Sequence, residues 1–361
     1  MTHQIFIILP ADIPTGPVKG AYALANSLVN FYKVTLVTVK RGSGANARID
    51  SRICKVCLAD RATKFTDKLK IYRNLLLDSG GPAMVVSLSF CLSADFLNIF
   101  CKSYALTCSS VRGNLFVNYR HDYGLVGLAI AFVHLFALRR IDKVIAMNTV
   151  MAEQIYKLTG RNPCVISNFI DEPTFKNLEC SRSNFGQYRF IFLGSLSSRK
   201  QPVMIIRALK EIRDLGVDAS LKYLGSGPEQ TKIEKLVNEL GLHNYIKIFG
   251  FIERPENFIV QSDVLVLPSL SEGISRAAME ALYLGIPCVL RDVDGNNELI
   301  KDGENGATFR NKAELVGAML RAAEISRKTE YRECFLPPNF RQNFATEQYV
   351  KVIGALNEQQ S

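Results

Sequence analysis

Short apolar runs alternate with longer segments of helical periodicity along most of the chain. They read IFIIL, KVTLVTV, AMVVSLS, YALTCSS, KVIAMN and CVIS in the first half, and YRFIFLG, ASLKYLG, IKIFG, VLVLPS and PCVLRD in the second. Runs this short and rich in Val, Ile and Leu, separated by helices, are typical of βαβ units with buried parallel strands. The pattern predicts an α/β protein built on mostly parallel sheets.

A polar segment interrupts this alternation near the middle of the chain. Ser167 to Gln187 contains Pro173 and Gly186 and has no clear periodicity, as expected of a linker. The alternation restarts after it, which favours two doubly wound domains, residues 1–170 and 171–344. Residues 345–361 carry apolar positions at helical spacing and are expected to form one closing helix.

The charge balance favours an anionic partner. The 361 residues include 44 Lys and Arg against 34 Asp and Glu, a formal net charge of +10, which suits nucleic acid, a phosphate-bearing substrate or an anionic membrane. Nucleic acid is disfavoured because the chain has no Trp and its basic residues are dispersed. Nine cysteines without the dense spacing of a disulfide scaffold indicate a cytoplasmic protein.

The longest apolar run, Leu125 to Leu138, has 14 residues and ends in Arg139 and Arg140. It is shorter than the roughly 20 residues that a membrane-spanning helix needs. Two interpretations stay open: a buried helix of the first domain, or a helix that lies on an anionic membrane surface. Peripheral contact with the inner face of the cytoplasmic membrane is therefore one expectation.

Ligands of open α/β sheets bind at the carboxyl ends of strands, so the loops that follow strands are the candidate sites. In the first, LPADIPTGPVKG, Gly16 could bring backbone close to a phosphate, with a helix expected to begin near Lys19 or Gly20. The loop is not GxGxxG, and no acidic residue ends the next strand, which weighs against a nicotinamide cofactor. An ordinary turn explains it equally well.

Two loops of the second half carry glycines and cations. Gly194 and a Ser-rich loop lead to Arg199 and Lys200 before an amphipathic helix, where two cations could clamp a diphosphate. Gly225 and Gly227 end the next strand, and a base or ribose could lie against that loop. Solvated surface charges and an ordinary turn are the alternatives.

The fourth loop lies in LVLPSLSEGISRAAMEALYLGIPCVLRD. Glu272 follows a buried strand, and Gly273 precedes a helix whose positive dipole end favours an anion. Glu280 lies inside that helix among small apolar residues, so its carboxylate needs a hydrogen-bond partner, which two ribose hydroxyls would supply. An exposed helix residue is the alternative for Glu280.

Together these loops resemble the retaining glycosyltransferases of family four. The match rests on Glu272 and Glu280 with seven residues between them, followed by ALYLGIPCVLRDVDGNNELI, which is similar to the family's Glu-Ala-x4-Gly-x-Pro-Val and Gly-x-x-Glu-x-Ile segments. Order and spacing agree from Phe190 to Gly306, whereas the N-terminal half agrees in layout only. The resemblance implies the GT-B fold: two Rossmann-like domains that face a cleft, with a C-terminal crossover helix packing back toward the N-terminal domain.

The resemblance also assigns roles to residues. Lys200 would contact the donor diphosphate, Glu280 the ribose hydroxyls and Glu272 the donor sugar. Ser195 stands where the family commonly has Arg, and Arg199 would supply that cation. Arg112, where the family often has His, and His121 are the acceptor-side candidates. The remaining donor-site candidates are Gly16, Gly194, Gly225, Phe251, Ile252, Gly273, Ile274 and Ser275, of which Phe251 and Ile252 would hold the base and the last three would offer backbone amides.

The implied activity is the transfer, with retention, of a hexose or hexosamine from a nucleotide sugar, most simply UDP-linked. The acceptor would be a saccharide or lipid-linked saccharide of surface polysaccharide synthesis, such as O-antigen, capsule or exopolysaccharide. No cofactor and no metal are expected, because Asp292 and Asp294 follow the helix rather than forming the GT-A cation site. A nucleotide-sugar epimerase or hydrolase of the same fold, or a non-catalytic nucleotide-sugar-binding subunit, is the alternative.

Overall fold

The computed structural model describes residues 4–13, 15–43, 49–175, 178, 186–328 and 333–358. The chain folds into two compact units, the first formed by Met1–Asp171 with Asn339–Ser361 and the second by Glu172–Pro338. The chain thus re-enters the first unit at residue 339, before the predicted position 345. Of the predicted linker, residues 176–177 and 179–185 lie outside the described residues.

The first unit contains a seven-stranded parallel sheet in the order β3-β2-β1-β4-β5-β6-β7. Its strands are β1 (Gln4–Ala11), β2 (Lys33–Lys40), β3 (Cys54–Cys57), β4 (Val85–Phe90), β5 (Leu106–Val111), β6 (Lys143–Ala146) and β7 (Cys164–Val165). The helices between them are α1 (Gly16–Leu28), α2 (Phe65–Asp78), α3 (Leu92–Ile99), α4 (Leu115–Tyr123), α5 (Leu125–Leu138) and α6 (Thr149–Thr159).

The second unit contains a six-stranded parallel sheet in the order β10-β9-β8-β11-β12-β13. Its strands are β8 (Tyr188–Leu193), β9 (Ala219–Leu224), β10 (Ile246–Ile248), β11 (Val264–Leu267), β12 (Cys288–Arg291) and β13 (Gly306–Phe309). The helices are α7 (Pro202–Asp214), α8 (Gln230–Glu239), α9 (Glu256–Val260), α10 (Arg276–Tyr283), α11 (Asn296–Leu299) and α12 (Leu315–Lys328). The strand order reverses between β8 and β11, which is the topological switch point of this sheet.

Each face of the first sheet buries its own apolar layer, as β1 illustrates. Ile5, Ile7 and Leu9 pack in one cluster with α1, whereas Phe6 and Ile8 pack in the other with α2. This alternation follows from the two-residue period of a strand, and burial on both faces explains the continuous apolar runs. The prediction of two parallel, Rossmann-like sheets is confirmed.

The closing helix is α13 (Gln342–Glu358), which belongs to the first unit and contacts α1. Tyr349, Ile353 and Leu356 are buried in the cluster that also holds Ile5. The Tyr349 hydroxyl lies 3.2 Å from the Ser110 hydroxyl at the carboxyl end of β5. The apolar spacing that predicted this helix is therefore the stripe by which it packs against the first sheet.

Three details of the sequence interpretation were wrong. The strands β3 and β13, with the sequences CKVC and GATF, were not recognised, and each lies at the edge of its sheet. Helix α1 begins at Gly16 and not near Lys19 or Gly20. Its first turn contains Pro17, whose fixed φ suits a helix start and whose missing N–H has no partner to lose there.

Candidate functional site

Two loops of the second unit meet beside its switch point. One follows β8 and runs to Lys200, and the other follows β11 and contains Glu272. Because β8 and β11 pair in parallel, with Phe190 opposite Val264, both loops leave the same edge of the sheet. Residues 72 positions apart in sequence are thereby brought into contact, at the place where open α/β sheets bind ligands.

Lys200 and Glu272 form a largely buried ion pair at this point. The Lys200 Nζ donates a hydrogen bond to Glu272 Oε1. Burial acts to raise the pKa of Glu272, but the positive charges of Lys200 and Arg199, together with the hydrogen bond from Lys200, lower it below its ordinary value. The carboxylate is therefore ionised at neutral pH. Sequence reasoning predicted both residues but not that they pair with each other.

Arg199 joins the same two loops. Its Nη1 donates to the Ser271 carbonyl oxygen at 2.7 Å, and its own carbonyl oxygen accepts from the Leu270 N–H at 2.8 Å. The guanidinium thus holds the segment before Glu272 in place. Its predicted contact with a diphosphate stays a prediction, and its remaining N–H donors could make that contact without loss of the Ser271 bond.

Asp294 supports the loop from the other side and was not recognised as a site residue. Its Oδ2 accepts from the Ser271 hydroxyl at 2.6 Å and from the Glu272 N–H at 2.9 Å. Its φ is +47°, a left-handed conformation that Asp and Asn adopt more readily than most residues. The Asp-x-Asp pattern that raised the question of a metal therefore includes the residue that positions the Glu272 backbone.

The other carboxylate of that pattern, Asp292, is bonded to Asn297 and Arg310. In the described ranges no three His, Cys, Asp or Glu side chains cluster so that they could hold a metal ion. Independence from metal stays a prediction.

Glycines allow three strand ends to approach closely beside the Lys200 loop. A Cβ added to Gly225, after β9, would lie 1.8 Å from the Gly194 carbonyl oxygen, after β8. The Gly225 N–H donates to the Gly250 carbonyl oxygen, after β10, at 2.7 Å. Gly225 also has φ +140°, which residues with a side chain rarely adopt. These contacts make Gly194, Gly225 and Gly250 one continuous surface of backbone.

The N-terminus of α10 lies just beyond Glu272. Ser275 caps it by accepting from the Ala278 N–H at 3.4 Å, and Ile274 is buried beside it. Glu280 lies one turn beyond Arg276, whose Nη2 is 3.9 Å from Glu280 Oε1. The predicted need for a polar partner is thus met in part by an arginine that sequence reasoning did not consider.

The remaining donor-site candidates of the second unit lie at the strand exits. Phe251 and Ile252 follow Gly250, and the Phe251 ring is well exposed. Ser195 follows Gly194, and its hydroxyl lies 3.4 Å from that of Ser197. Gly273 lies between Glu272 and Ile274. These residues keep their predicted positions in loops.

Three candidates lie in the first unit. Gly16 is exposed as the first residue of α1. Arg112 follows β5 and donates to Asn168 Oδ1 at 3.2 Å and to the Tyr349 hydroxyl at 3.3 Å, while its guanidinium carbon lies 4.6 Å from the centre of the Phe90 ring. His121 lies on the surface of α4, with its Nδ1 3.7 Å from Asp122 Oδ1.

Asp294 yields a direct prediction. Asp294→Gly keeps the left-handed backbone accessible but removes the acceptor of the Ser271 and Glu272 bonds. We expect kcat/KM to fall about 10- to 100-fold, because supporting partners of a functional group have effects of that size. Steady-state kinetics measures the loss, and Asp218→Gly, which removes an exposed carboxylate bonded to Arg213 and Gln187, is the control. Equal activity of both variants would contradict a positioning role for Asp294.

Comparison with known proteins finds a family match for the second unit. Residues 176–333 match the family described as Glycosyl transferases group 1, over nearly the whole unit. The O-antigen biosynthesis glycosyltransferase WclY of Escherichia coli is 27% identical over 216 residues, covering 55% of this chain and 58% of that protein. The Escherichia coli UDP-Gal:alpha-D-GlcNAc-diphosphoundecaprenol alpha-1,3-galactosyltransferase is 31% identical over 120 residues, covering 32% of this chain and 31% of that protein. The chain spans less than two thirds of the length of these relatives.

The fold extends the comparison to both units. Anabaena HepE, solved in complex with UDP and glucose, aligns over 98% of this chain and 99% of that chain with a TM-score of 0.77 and 15% identity. At that identity the likeness concerns the fold alone. The architecture is that of the GT-B glycosyltransferases, as the sequence resemblance predicted.

Proposed function

We propose that this chain, whose residues 176–333 match the family described as Glycosyl transferases group 1, transfers a hexose or hexosamine from a UDP-sugar with retention of anomeric configuration. The acceptor is a saccharide or lipid-linked saccharide of surface polysaccharide synthesis. Two curated relatives favour this choice, one named for O-antigen biosynthesis and the other for a diphosphoundecaprenol-linked acceptor and a UDP-Gal donor.

The observation that carries the proposal is the Lys200–Glu272 pair at the switch point between β8 and β11. Lys200 has three N–H donors, so it can hold Glu272 and still contact a donor diphosphate. Arg199 adds a second positive charge beside it. The backbone surface of Gly194 and Gly225 has no side chains that would keep a nucleotide away.

The remaining contacts follow from the order of these loops. The donor sugar lies against Glu272 and the N-terminal amides of α10, the ribose against Glu280, and the base against Phe251 and Ile252. Glu280 then exchanges its contact with Arg276 for ribose hydroxyls, or shares it with them. The exposed Phe251 ring offers a flat apolar surface for a base.

Transfer then proceeds on one face of the sugar. The bond from the anomeric carbon to the diphosphate oxygen breaks, the acceptor oxygen bonds to the same face, and its proton passes to the departing diphosphate. Lys200 and Arg199 stabilise the negative charge that develops on that diphosphate. Because two protein cations supply this stabilisation, we expect activity to persist in EDTA.

Arg112 supplies the acceptor-side contact in this proposal. It makes no ion pair with any carboxylate among the described residues, and its hydrogen-bond partners, the Asn168 amide and the Tyr349 phenol, are neutral. A guanidinium at the carboxyl end of β5 suits an anionic group, such as the diphosphate of a lipid-linked acceptor. His121, exposed on α4, is the second candidate.

The test begins with thermal unfolding in the presence of UDP-, GDP- and other nucleotide sugars. Binding to the folded state raises the apparent stability by about 2.7 kcal/mol at 100 times Kd, so a UDP-sugar is expected to raise Tm where a GDP-sugar does not. Glu280→Ala should weaken that shift, and Glu239→Ala, an exposed glutamate of α8, should leave it unchanged. An undiminished shift in Glu280→Ala would remove the ribose assignment.

The reaction itself is tested by incubating the donor with and without acceptor. A transferase forms a new glycoside only with acceptor, and proton NMR of its anomeric centre reports retention or inversion. Nucleotide release or an epimer without acceptor would indicate a hydrolase or epimerase. A donor-induced Tm shift without any turnover would indicate a non-catalytic binding subunit.

A further inference from the structure

Helix α5 turns one strongly apolar face to solvent. Leu125 is 78% exposed, Val126 and Phe136 are 67% exposed, and Phe132 and Val133 are 57% exposed. These five residues, here called the α5 face, recur at helical spacing and so lie on one side of the helix. Single exposed apolar residues are ordinary, but a contiguous group of large ones marks an interaction surface.

The buried contacts of the opposite face of α5 fix the orientation of the helix. It buries Gly127, Ala131 and His134 together with two leucines. The His134 Nε2 lies 2.7 Å from Asp95 Oδ2, and its Nδ1 lies 2.9 Å from the Tyr119 hydroxyl. A buried polar ring is tolerated only with such partners, and they fix the rotation of the helix. The chain thus buries a histidine while it exposes two phenylalanines.

The preceding helix α4 extends the same surface. A Cβ at Gly127 would lie 1.8 Å from the Tyr119 carbonyl oxygen, so glycine permits the close approach of α5 to α4. The Phe116 and Phe132 rings pack edge to face, with centroids 4.9 Å apart. Val117 and Tyr123 of α4 are also exposed. The apolar surface therefore spans two helices that are packed on each other.

Positive charge borders this surface. Arg120, Arg139 and Arg140 are exposed, and Asp122 is the one acidic residue between positions 115 and 140. The Arg139 guanidinium carbon lies 5.5 Å from the centre of the Phe136 ring, so the cation stands at the edge of the apolar residues. Within the described ranges, no helix is both long enough and apolar enough to cross a bilayer.

We propose that the α5 face docks on a lipid bilayer that carries anionic headgroups. The five apolar side chains enter the boundary between headgroups and acyl chains, while Arg120, Arg139 and Arg140 contact lipid phosphates. Charge complementarity selects this partner, because a large apolar surface bordered by arginines suits an anionic interface. Membrane docking deepens the proposed function and rests on it only for the lipid-linked nature of the acceptor. Docking itself is measured without donor or acceptor.

Vesicle flotation of the full chain tests the docking. We expect binding to phosphatidylcholine vesicles that contain phosphatidylglycerol, and much weaker binding to phosphatidylcholine alone. Phe132→Ser/Phe136→Ser should lower the partition coefficient about tenfold or more, because two large apolar side chains no longer leave water. Arg139→Gln/Arg140→Gln should lower it by up to about thirtyfold at low salt, and this loss should shrink as salt screens the charges.

Matched controls lie in the second unit. Leu215→Ser removes an equally exposed apolar residue, and Arg207→Gln/Lys235→Gln removes two exposed cations. Neither should change vesicle binding. Circular dichroism confirms that each variant is folded, and Val126→Glu/Val133→Glu repeats the apolar test without touching the Phe116–Phe132 contact.

Insertion can be observed directly because the chain has no Trp. Phe136→Trp places a single indole in the α5 face, and its emission should shift to the blue and resist acrylamide with anionic vesicles. Leu215→Trp should show neither change.

Equal flotation of the wild type and all α5 variants would overturn the proposal. So would a wild-type dimer, free of vesicles, that Phe132→Ser/Phe136→Ser converts to monomer, because a second copy would then cover the face. Lack of transferase activity with intact docking would instead contradict the proposed function.

Discussion

Lys200→Met is expected to lower kcat/KM by about 100- to 1,000-fold, the loss that follows when one preorganised charge is removed from a developing oxyanion. It should also destabilise the second unit by about 3–5 kcal/mol, because Glu272 is left as a buried carboxylate without its cation. Steady-state kinetics and thermal unfolding measure the two effects separately.

A double variant separates catalysis from stability. Lys200→Met/Glu272→Gln removes both charges at similar volume, which is often close to neutral for a buried pair, so stability should largely return while activity stays low. Lys210→Met breaks an exposed pair with Asp214 and should cost less than about 1 kcal/mol with unchanged activity. If Lys200→Met transferred sugar at the wild-type rate, the cation at the switch point would have no part in the chemistry.

The pH dependence of stability offers an independent check on the same pair. The pKa of Glu272 is lowered in the folded state, so its contribution is complete above the ordinary value of 4.5 and is lost as pH falls through the lower folded pKa. In Lys200→Met the positive charge that opposed the effect of burial on the pKa of Glu272 is gone, so burial raises that pKa. The contribution of Glu272 to the pH dependence of stability then changes sign, and the variant should gain stability relative to the wild type as pH falls through the acid range.

The strands with the clearest signal in the sequence are those whose apolar runs are buried on both faces, such as β1 and β11. The missed strands β3 and β13 have four residues each and lie at sheet edges, where Lys55 or Thr308 interrupts the apolar pattern. Their pairing is decided by a neighbouring strand rather than by their own composition.

Site residues were likewise predicted where the local sequence decides their position, and their contacts were missed where these depend on segments distant in sequence. The rule that ligands bind at strand exits placed Lys200 and Glu272 at one edge of a sheet, but their direct pairing depends on the adjacency of β8 and β11. The left-handed backbone of Asp294 and its bonds to the Glu272 loop arise only when β12 is in place. The orientation of α5 was equally inaccessible, because an almost uninterrupted apolar run does not reveal which side is buried.

Gly225→Ala is expected to be the most destabilising single-methyl change at the site. The added Cβ would lie 1.8 Å from the Gly194 carbonyl oxygen, and the residue has φ +140°. Displacing backbone and straining φ together should cost about 3 kcal/mol or more. Because the Gly225 N–H also holds the Gly250 carbonyl oxygen, the exits of β8, β9 and β10 should move apart and nucleotide affinity should fall.

Gly216→Ala separates the steric clash from backbone strain. Gly216 has φ +80°, but a Cβ there meets nothing within 4 Å, so its cost should be about 1–2 kcal/mol, with UDP binding unchanged. Thermal unfolding and calorimetric titration with UDP compare the two variants. If Gly225→Ala were no more destabilising than Gly216→Ala and bound UDP as tightly, the contact of the Gly194 and Gly225 backbones would not be what shapes the proposed nucleotide site.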